Sequence, residues 1–291
     1  MAITPLIMSI LFLFYGCAEN TFIPPPLYTL KFGTDETLDI ITWNIENFPK
    51  SNSLTVDYLS QLIIELDADI IALQEIGSDT YFNNLVETLD GWNGERTSGA
   101  YGLAYIYKSE LEILDIYEID ELNKYEFART PYMLAVNWEN EIVYIINNHY
   151  KCCGDGIINY SNTSDEEYRR LQSIQMTKTY LDTFYTHQSV VVLGDMNDEL
   201  NDSESNNVFS KFIDDEYYEF TDYDIAIGSS SYWSFPNWPS HLDHILITNE
   251  LFDNHDTTYT VLVEKNFSSW AEYENIISDH RPIGIRLKKG D

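Results

Sequence analysis

Basic residues are scarce in this chain of 291: 16 Lys and Arg stand against 48 Asp and Glu, a formal charge of −32. That imbalance opposes nonspecific attraction to nucleic acid or to an anionic lipid surface. A phosphate-bearing substrate is still compatible with it, provided that metal ions, counter-ions in the medium or a local basic cluster offset the repulsion. Arg129, Lys151, Arg169, Arg170 and Arg281 are the cations placed inside motif segments. Also missing is any Pro/Gly/Ser-rich linker between Asn44 and His280, which excludes a split into two domains across the motifs. No internal repeat or low-complexity tract appears, and a hydrophobic fraction of 44% supports a sizeable core and excludes wholesale disorder.

The only long apolar run, Leu6 to Phe14 with Ser9 inside it, is too short to span a bilayer comfortably. It precedes Tyr15-Gly16-Cys17, and the first charged residue is Glu19. This arrangement resembles a bacterial lipoprotein signal, in which the cysteine after the cleavage site is lipidated. Residues 1–17 are therefore expected to be a signal peptide ending in a possible lipidated Cys17, and 18–36 a tether stiffened by Pro24-Pro25-Pro26. Residues 37–291 form the expected catalytic domain of an exported chain, anchored at the outer membrane or cell surface or else secreted. Two cysteines then remain, Cys152 and Cys153. Adjacent Cα atoms are about 3.8 Å apart, against the usual ~4.4–6.8 Å of a bridge, so free thiols or a strained local clasp both stay open.

Leu38 to Trp43, Asp69 to Leu73, Leu103 to Tyr107, Met133 to Trp138, Ile142 to Asn147, Ser189 to Leu193, Leu242 to Thr248 and Ile283 to Leu287 read as buried strands. Leu54 to Leu66 has helical spacing, and Ser164-Asp165-Glu166-Glu167 reads as a capping box opening a helix to about Tyr185. Strands interleaved with helices predict an α/β protein of two packed, mixed β-sheets flanked outside by helices.

Polar motifs recur directly beside the buried strands. Glu75, after the second strand, offers a carboxylate to a hard cation such as Mg²⁺. Asn44 offers a carbonyl to the metal and an amide N–H to a phosphate oxygen. In Gly194-Asp195-Met196-Asn197, Asp195 suits a role on the attacking water and Asn197 a hydrogen bond to the phosphate. His149 and His280 carry imidazoles that titrate near neutrality. Asp243 is placed to hold His280 in one tautomer, and Asp279 to ligate metal or water. His244 reads as structural; His187, His241 and His255 have no motif context, so exposure is the expectation for each.

The ordered set Trp43-Asn44-Ile45-Glu46-Asn47, Leu73-Gln74-Glu75, Asn148-His149, Gly194-Asp195-Met196-Asn197, Leu242-Asp243-His244 and Ser278-Asp279-His280 resembles the endonuclease/exonuclease/phosphatase superfamily, which includes pancreatic-type deoxyribonuclease. The resemblance covers about residues 38 to 288. It implies a phosphoesterase dependent on Mg²⁺, or on Ca²⁺ or Mn²⁺, with the deoxyribonuclease-like sandwich fold. By motif it makes Asn44, Glu75 and Asp279 metal residues, and Asp195 and Asn197 the residues that position water and phosphate. Asp243 and His280 become a dyad that activates the attacking side, His149 the leaving-group acid, and Arg129 a phosphate contact.

A nuclease acting on extracellular DNA or RNA is the first expectation. A phosphodiesterase on lipid head groups or small organophosphates is the second, and a non-catalytic binding module the third. A monomer is expected. The loops that would choose the substrate, Gly154 to Thr163 and Asn201 to Ser240, carry no readable code, although Tyr232, Trp233, Phe235 and Trp238 lie in the second.

Overall fold

Strands with branched apolar side chains on both faces need cover on both sides, and the fold supplies it. The computed structural model describes residues 30–290; the apolar run, Cys17 and Pro24 to Pro26 lie outside these. The first sheet runs β11-β12-β1-β2-β4-β3 and the second β5-β6-β7-β8-β10-β9. The strands are β1 (Thr37–Phe48), β2 (Ile70–Ile76), β3 (Trp92–Arg96), β4 (Gly102–Lys108), β5 (Glu112–Glu118) and β6 (Tyr132–Trp138), then β7 (Glu141–His149), β8 (Ser189–Asp195), β9 (Tyr218–Phe220), β10 (Asp243–Thr248), β11 (His255–Thr260) and β12 (Ile283–Lys288). Alternate residues of one strand enter different cores. Val191 and Leu193 join Ile40, Ile145 and Ile285 between the sheets, whereas Val190 and Val192 pack outward with Ile174 and Leu181 of α3 (Glu166–Phe184). On the other outer face, Ile41, Trp43 and Leu73 pack against Leu59 and Leu62 of α1 (Ser53–Leu66) and Leu85 of α2 (Asp79–Thr88).

Each sheet has one parallel pair at its centre, β1 with β2 and β7 with β8, and antiparallel neighbours around it. Parallel pairing requires a crossover, supplied by α1 in one sheet and α3 in the other. Four strand ends are thereby brought to one edge of the sandwich, together with the amino ends of antiparallel β10 and β12.

Polar groups tie the sheets to each other just behind that edge. The Asn147 amide of β7 donates to the Leu73 and Ala104 carbonyls at 3.0 and 3.1 Å, and its oxygen accepts from Gln74 Nε2 at 2.8 Å. The Tyr105 hydroxyl lies 2.9 and 2.8 Å from the Tyr132 and Ile145 carbonyls.

All eight expected strands are present, and they are the eight inner ones; β3, β5, β9 and β11, which had no apolar run, are the four sheet edges. Two boundaries need correction. The tether does not extend to residue 36, because Phe32 is fully buried and the amides of Phe32 and Gly33 both donate to Leu66 O at 2.8 Å. Gly284 makes room for it: a Cβ there would lie 2.4 Å from the Phe32 ring. The long helix is capped by Asp165, whose Oδ1 accepts from Tyr168 N at 2.9 Å, and Ser164 lies outside it. Glu167, instead of closing a capping box, accepts from Gly156 N at 2.6 Å and pairs with Arg170.

His241, expected at the surface, is buried, and so is His244. Both meet Asp222, whose Oδ2 accepts from His244 Nδ1 at 2.6 Å and His241 Nε2 at 3.0 Å while Oδ1 accepts from Ile245 N at 2.8 Å. His244 Nε2 faces the Asp198 carbonyl at 2.9 Å, so both its nitrogens must donate and the ring is an imidazolium. His241 Nδ1 accepts from Ser234 N at 3.3 Å, which makes that ring neutral. Burial opposes both charges, yet their pairing holds Asp222 well below the usual carboxylate range and His244 above the usual imidazole range. These three side chains are within metal-ligand reach of one another, but every ring nitrogen already has a partner.

Asp222→Ala leaves a buried cation without its counter-charge and is expected to cost about 3–5 kcal/mol in urea unfolding; a loss below about 1 kcal/mol would contradict the pairing. The sign of the pH dependence follows. His244, raised on folding, stabilises fully below about pH 6.5 and loses that contribution as pH rises through its folded value. Asp222, lowered on folding, stabilises above about pH 4 and loses its contribution in acid. The alkaline decline in stability is therefore expected to be smaller in His244→Gln than in the parent chain.

Candidate active site

The edge that collects the strand ends also collects the motif residues. Asn44 and Glu75 lie near the carboxyl ends of β1 and β2, and His149 and Asp195 end β7 and β8. His149 and Asp195 are register partners, as are Asp195 and Asp243, so three site residues sit side by side across one sheet. His280 arrives from the first sheet, three residues before β12. Four non-glycine residues here have left-handed φ angles, Glu46 (25°), Asn47 (52°), Glu75 (66°) and Asn197 (55°). Strained backbone of this kind persists only where its surroundings enforce it. Gly194, at φ 137°, is needed for space: a Cβ there would sit 2.0 Å from the Asn148 carbonyl.

Asp195 is the hub. Its Oδ2 accepts from Asn44 Nδ2 at 2.8 Å and lies 3.5 Å from His149 Nε2 and 3.9 Å from His280 Nε2; its Oδ1 accepts from Asn197 N at 3.0 Å. His280 Nδ1 is 2.7 Å from Asp243 Oδ2, and the Phe235 ring covers the imidazole with centroids 4.9 Å apart. Glu75 Oε2 accepts from Asn47 N at 2.9 Å, leaving Oε1 3.3 Å from Asn44 Nδ2 and 3.9 Å from His149 Nε2.

Electrostatics separate the two histidines. Burial, reinforced by the positive charges of Arg129 and His280, holds His149 well below the ordinary imidazole range. Its Nε2 faces two carboxylates, which places the hydrogen there, and Nδ1 has no partner among the described residues. For His280, burial is outweighed by Asp243 and Asp195, which push it up to about 10. Burial, with Asp243 and Glu75 nearby, pushes Asp195 up to about 7 despite His280. Asp279 is raised to about 6, by burial and by Glu46 against the pull of His280.

A family model described as Endonuclease/Exonuclease/phosphatase family matches residues 41–280. The chain belongs to that family. It is accordingly a metal-dependent phosphoric ester hydrolase. No curated protein matches closely enough to count as a relative. Among solved structures, D. rerio TDP2 complexed with single strand DNA product shares 13% identity over 88% of this chain and 100% of that one, with a TM-score of 0.66. The endonuclease/exonuclease/phosphatase protein from Bacteroides vulgatus shares 15% over 87% and 99% (TM-score 0.64). The human Nocturnin catalytic domain with bound sulfate anion shares 14% over 87% and 93% (TM-score 0.62). At these identities the structural likeness shows the shared fold, two mixed sheets with helices outside.

The donor set fits the divalent ion that this family uses. Oxygen ligands suit a hard cation, and Asp279 Oδ1 is buried without a hydrogen-bond partner among the described residues. Glu75 and Asp279, the carboxylates expected to bind metal, are the residues that would hold it. Asn44, expected among the metal ligands, presents its amide nitrogen to the neighbouring carboxylates. Its Oδ1 is taken by Glu46 N at 3.0 Å, so the side chain points N–H groups at Asp195 and Glu75. Arg129 is half-buried, donates to the Tyr101 carbonyl at 2.9 Å and is felt at His149 as charge. Asn197 is likewise drawn inward, its amide donating to the Tyr150 carbonyl at 3.3 Å. Three other motif cations serve structure: Arg170 binds Asp198 (2.7 Å), Arg281 binds Glu264 (2.9 Å) and Arg169 the Tyr125 carbonyl (2.6 Å).

Sequence reasoning gave no role to Ser278 or Gln74. Ser278 Oγ donates to the Asn44 carbonyl at 2.6 Å and accepts from His280 N at 2.9 Å, locking two site residues from different segments. Gln74 carried a usable signal, a polar side chain inside a buried strand, which must find partners.

If Asp243 is what raises His280, Asp243→Asn should lower the imidazole titration by roughly 1–3 units from about 10. NMR of the metal-free protein reads this, and an unmoved titration would refute the coupling.

Proposed function

We propose that this chain is an exported phosphodiesterase that cleaves DNA or RNA as a monomer with Mg²⁺. The carrying observation is Asp195, a buried carboxyl raised to about 7 and set between a neutral His149 and a cationic His280. A proton acceptor works best when its pKa lies near the working pH. The neighbouring TDP2 structure with single strand DNA product supports a nucleic acid substrate. The apolar run before Cys17 supports export, with attachment through a lipidated cysteine.

Glu75 and Asp279 would hold the divalent ion, which would supply Lewis-acid stabilisation of charge on the phosphoryl oxygens. Asp195 orients and deprotonates the attacking water. His149, neutral, donates a hydrogen bond from Nε2 toward the phosphoryl group. His280, charged and steadied by Asp243, stabilises the developing negative charge and can give up its proton to the leaving alkoxide. This assignment moves the leaving-group proton from His149, where motif resemblance put it, to His280, because burial keeps His149 uncharged while carboxylates keep His280 charged.

A second reading, hydrolysis of lipid head groups or small organophosphates, is favoured by the charge of −32 and by Trp238, which is 78% exposed in the turn next to Phe235. Incubation with plasmid DNA, p-nitrophenyl phosphate esters and sphingomyelin, with Mg²⁺, Ca²⁺ or a chelator, separates the two. Plasmid cleavage that stops with the chelator is expected, and cleavage of sphingomyelin alone would favour the second reading. His149→Ala and His280→Ala should each lower the rate by at least ~10²-fold. Full activity in both, with folding intact by circular dichroism, would remove the mechanism.

A further inference from the structure

Three residues past His149, outside every contact of the proposed chemistry, two thiols meet at the surface. Cys152 and Cys153 are free and exposed, and the Cys153 thiol donates to Cys152 Sγ across 3.0 Å. The Lys151 ammonium lies 3.9 Å from that same acceptor sulfur. Cys152, next to a cation and accepting the hydrogen bond, is the sulfur placed to attack first. Cys153 keeps its proton, its thiol raised by sharing that proton with Cys152.

The backbone around the pair is held on both sides. Buried Arg170 donates to the Lys151 and Cys153 carbonyls at 2.8 and 2.7 Å while its Nε binds Asp198. Cys153 itself is left-handed (φ 75°), and Gly154 (φ 107°) lies so close to Glu167 that a Cβ would come within 2.0 Å of its carboxylate. The same stretch is coupled to the site, since the Tyr150 carbonyl accepts from the Asn197 amide and Tyr150 N donates to Asp195 O at 3.0 Å.

We propose that Cys152 and Cys153 are a redox-active dithiol that closes reversibly by exchange with a small disulfide, and that closure shifts the loop between His149 and Gly156. The Cys152 thiolate attacks one sulfur of the small disulfide and expels a thiolate. Cys153 then loses its proton and attacks Cys152 Sγ, expelling the second. Two cysteine thiols are oxidised, one disulfide is reduced to two thiols, and the two cysteine protons pass to the leaving thiolates. A bridge between neighbours is strained, because their Cα atoms are only about 3.8 Å apart. Strained, exposed bridges are the easily reduced ones, which suits a reversible site better than a structural clasp.

The full chain carrying Cys17→Ser keeps these two as its only cysteines. With oxidised glutathione it is expected to lose two hydrogens by intact mass and both reactive thiols by titration, and to recover them with dithiothreitol. Cys153→Ser, in the same background, should instead retain one glutathione on Cys152. A lasting glutathione adduct without the second substitution, cross-linking between chains, or inert thiols would each overturn the internal exchange. Amide exchange at residues 150–154 is expected to change severalfold between the two states; identical protection would overturn the loop shift. Both readouts are independent of hydrolysis, so an inactive chain would refute the proposed function and leave this inference to be decided by them.

Discussion

One carboxylate from the second sheet must meet an amide and an imidazole delivered by the first. Asp195 does so through Asn44 and His280, and the His280 to Asp243 contact crosses between the sheets in the same way. Such contacts hold only if the sheets keep their mutual register. Gln74, Asn147 and Tyr105 pin it with buried hydrogen bonds close behind the site, where unsatisfied groups would be costly. The apolar layer alone would tolerate sliding, since burial is non-directional.

The charge of the whole chain and the charge of the site are separate matters. Much of the acidic excess faces solvent, whereas Asp195, Asp243 and Asn44 are almost completely buried. Of the motif cations, Arg170 and Arg281 are occupied by Asp198 and Glu264. Compensation at the centre therefore falls to Arg129, to His280, which its carboxylate neighbours keep protonated, and to the metal ion that the family uses. Burial of opposite consequence in two nearby imidazoles gives a single pocket one neutral and one charged histidine.

Legibility followed burial. Val190 to Leu193 are covered on both faces, so every residue had to be apolar and the strand was plain. At the margins the demand relaxes: β5 is mostly exposed along Glu112–Glu118, and β3 alternates only partial cover, so neither carries an apolar run. His241 escaped for another reason, because its partner Asp222 is 19 residues away and no local pattern links them. The helix start was misplaced by the same sort of competition, Glu167 being drawn to Gly156 and Arg170.

Chain chemistry by itself determined the inner strands, the two-layer α/β class, the family and the polar residues that accumulate at strand ends, since periodicity and motif order are written locally. Tertiary structure alone decided which atom of each residue faces the pocket and which protonation state it holds. Asn44 turned its amide nitrogen inward because Glu46 N claimed its oxygen. His149 lost its charge and His280 kept it through burial and through partners far away in sequence. Orientation and pKa depend on distances between segments, and those distances come into existence only when the two sheets close on each other.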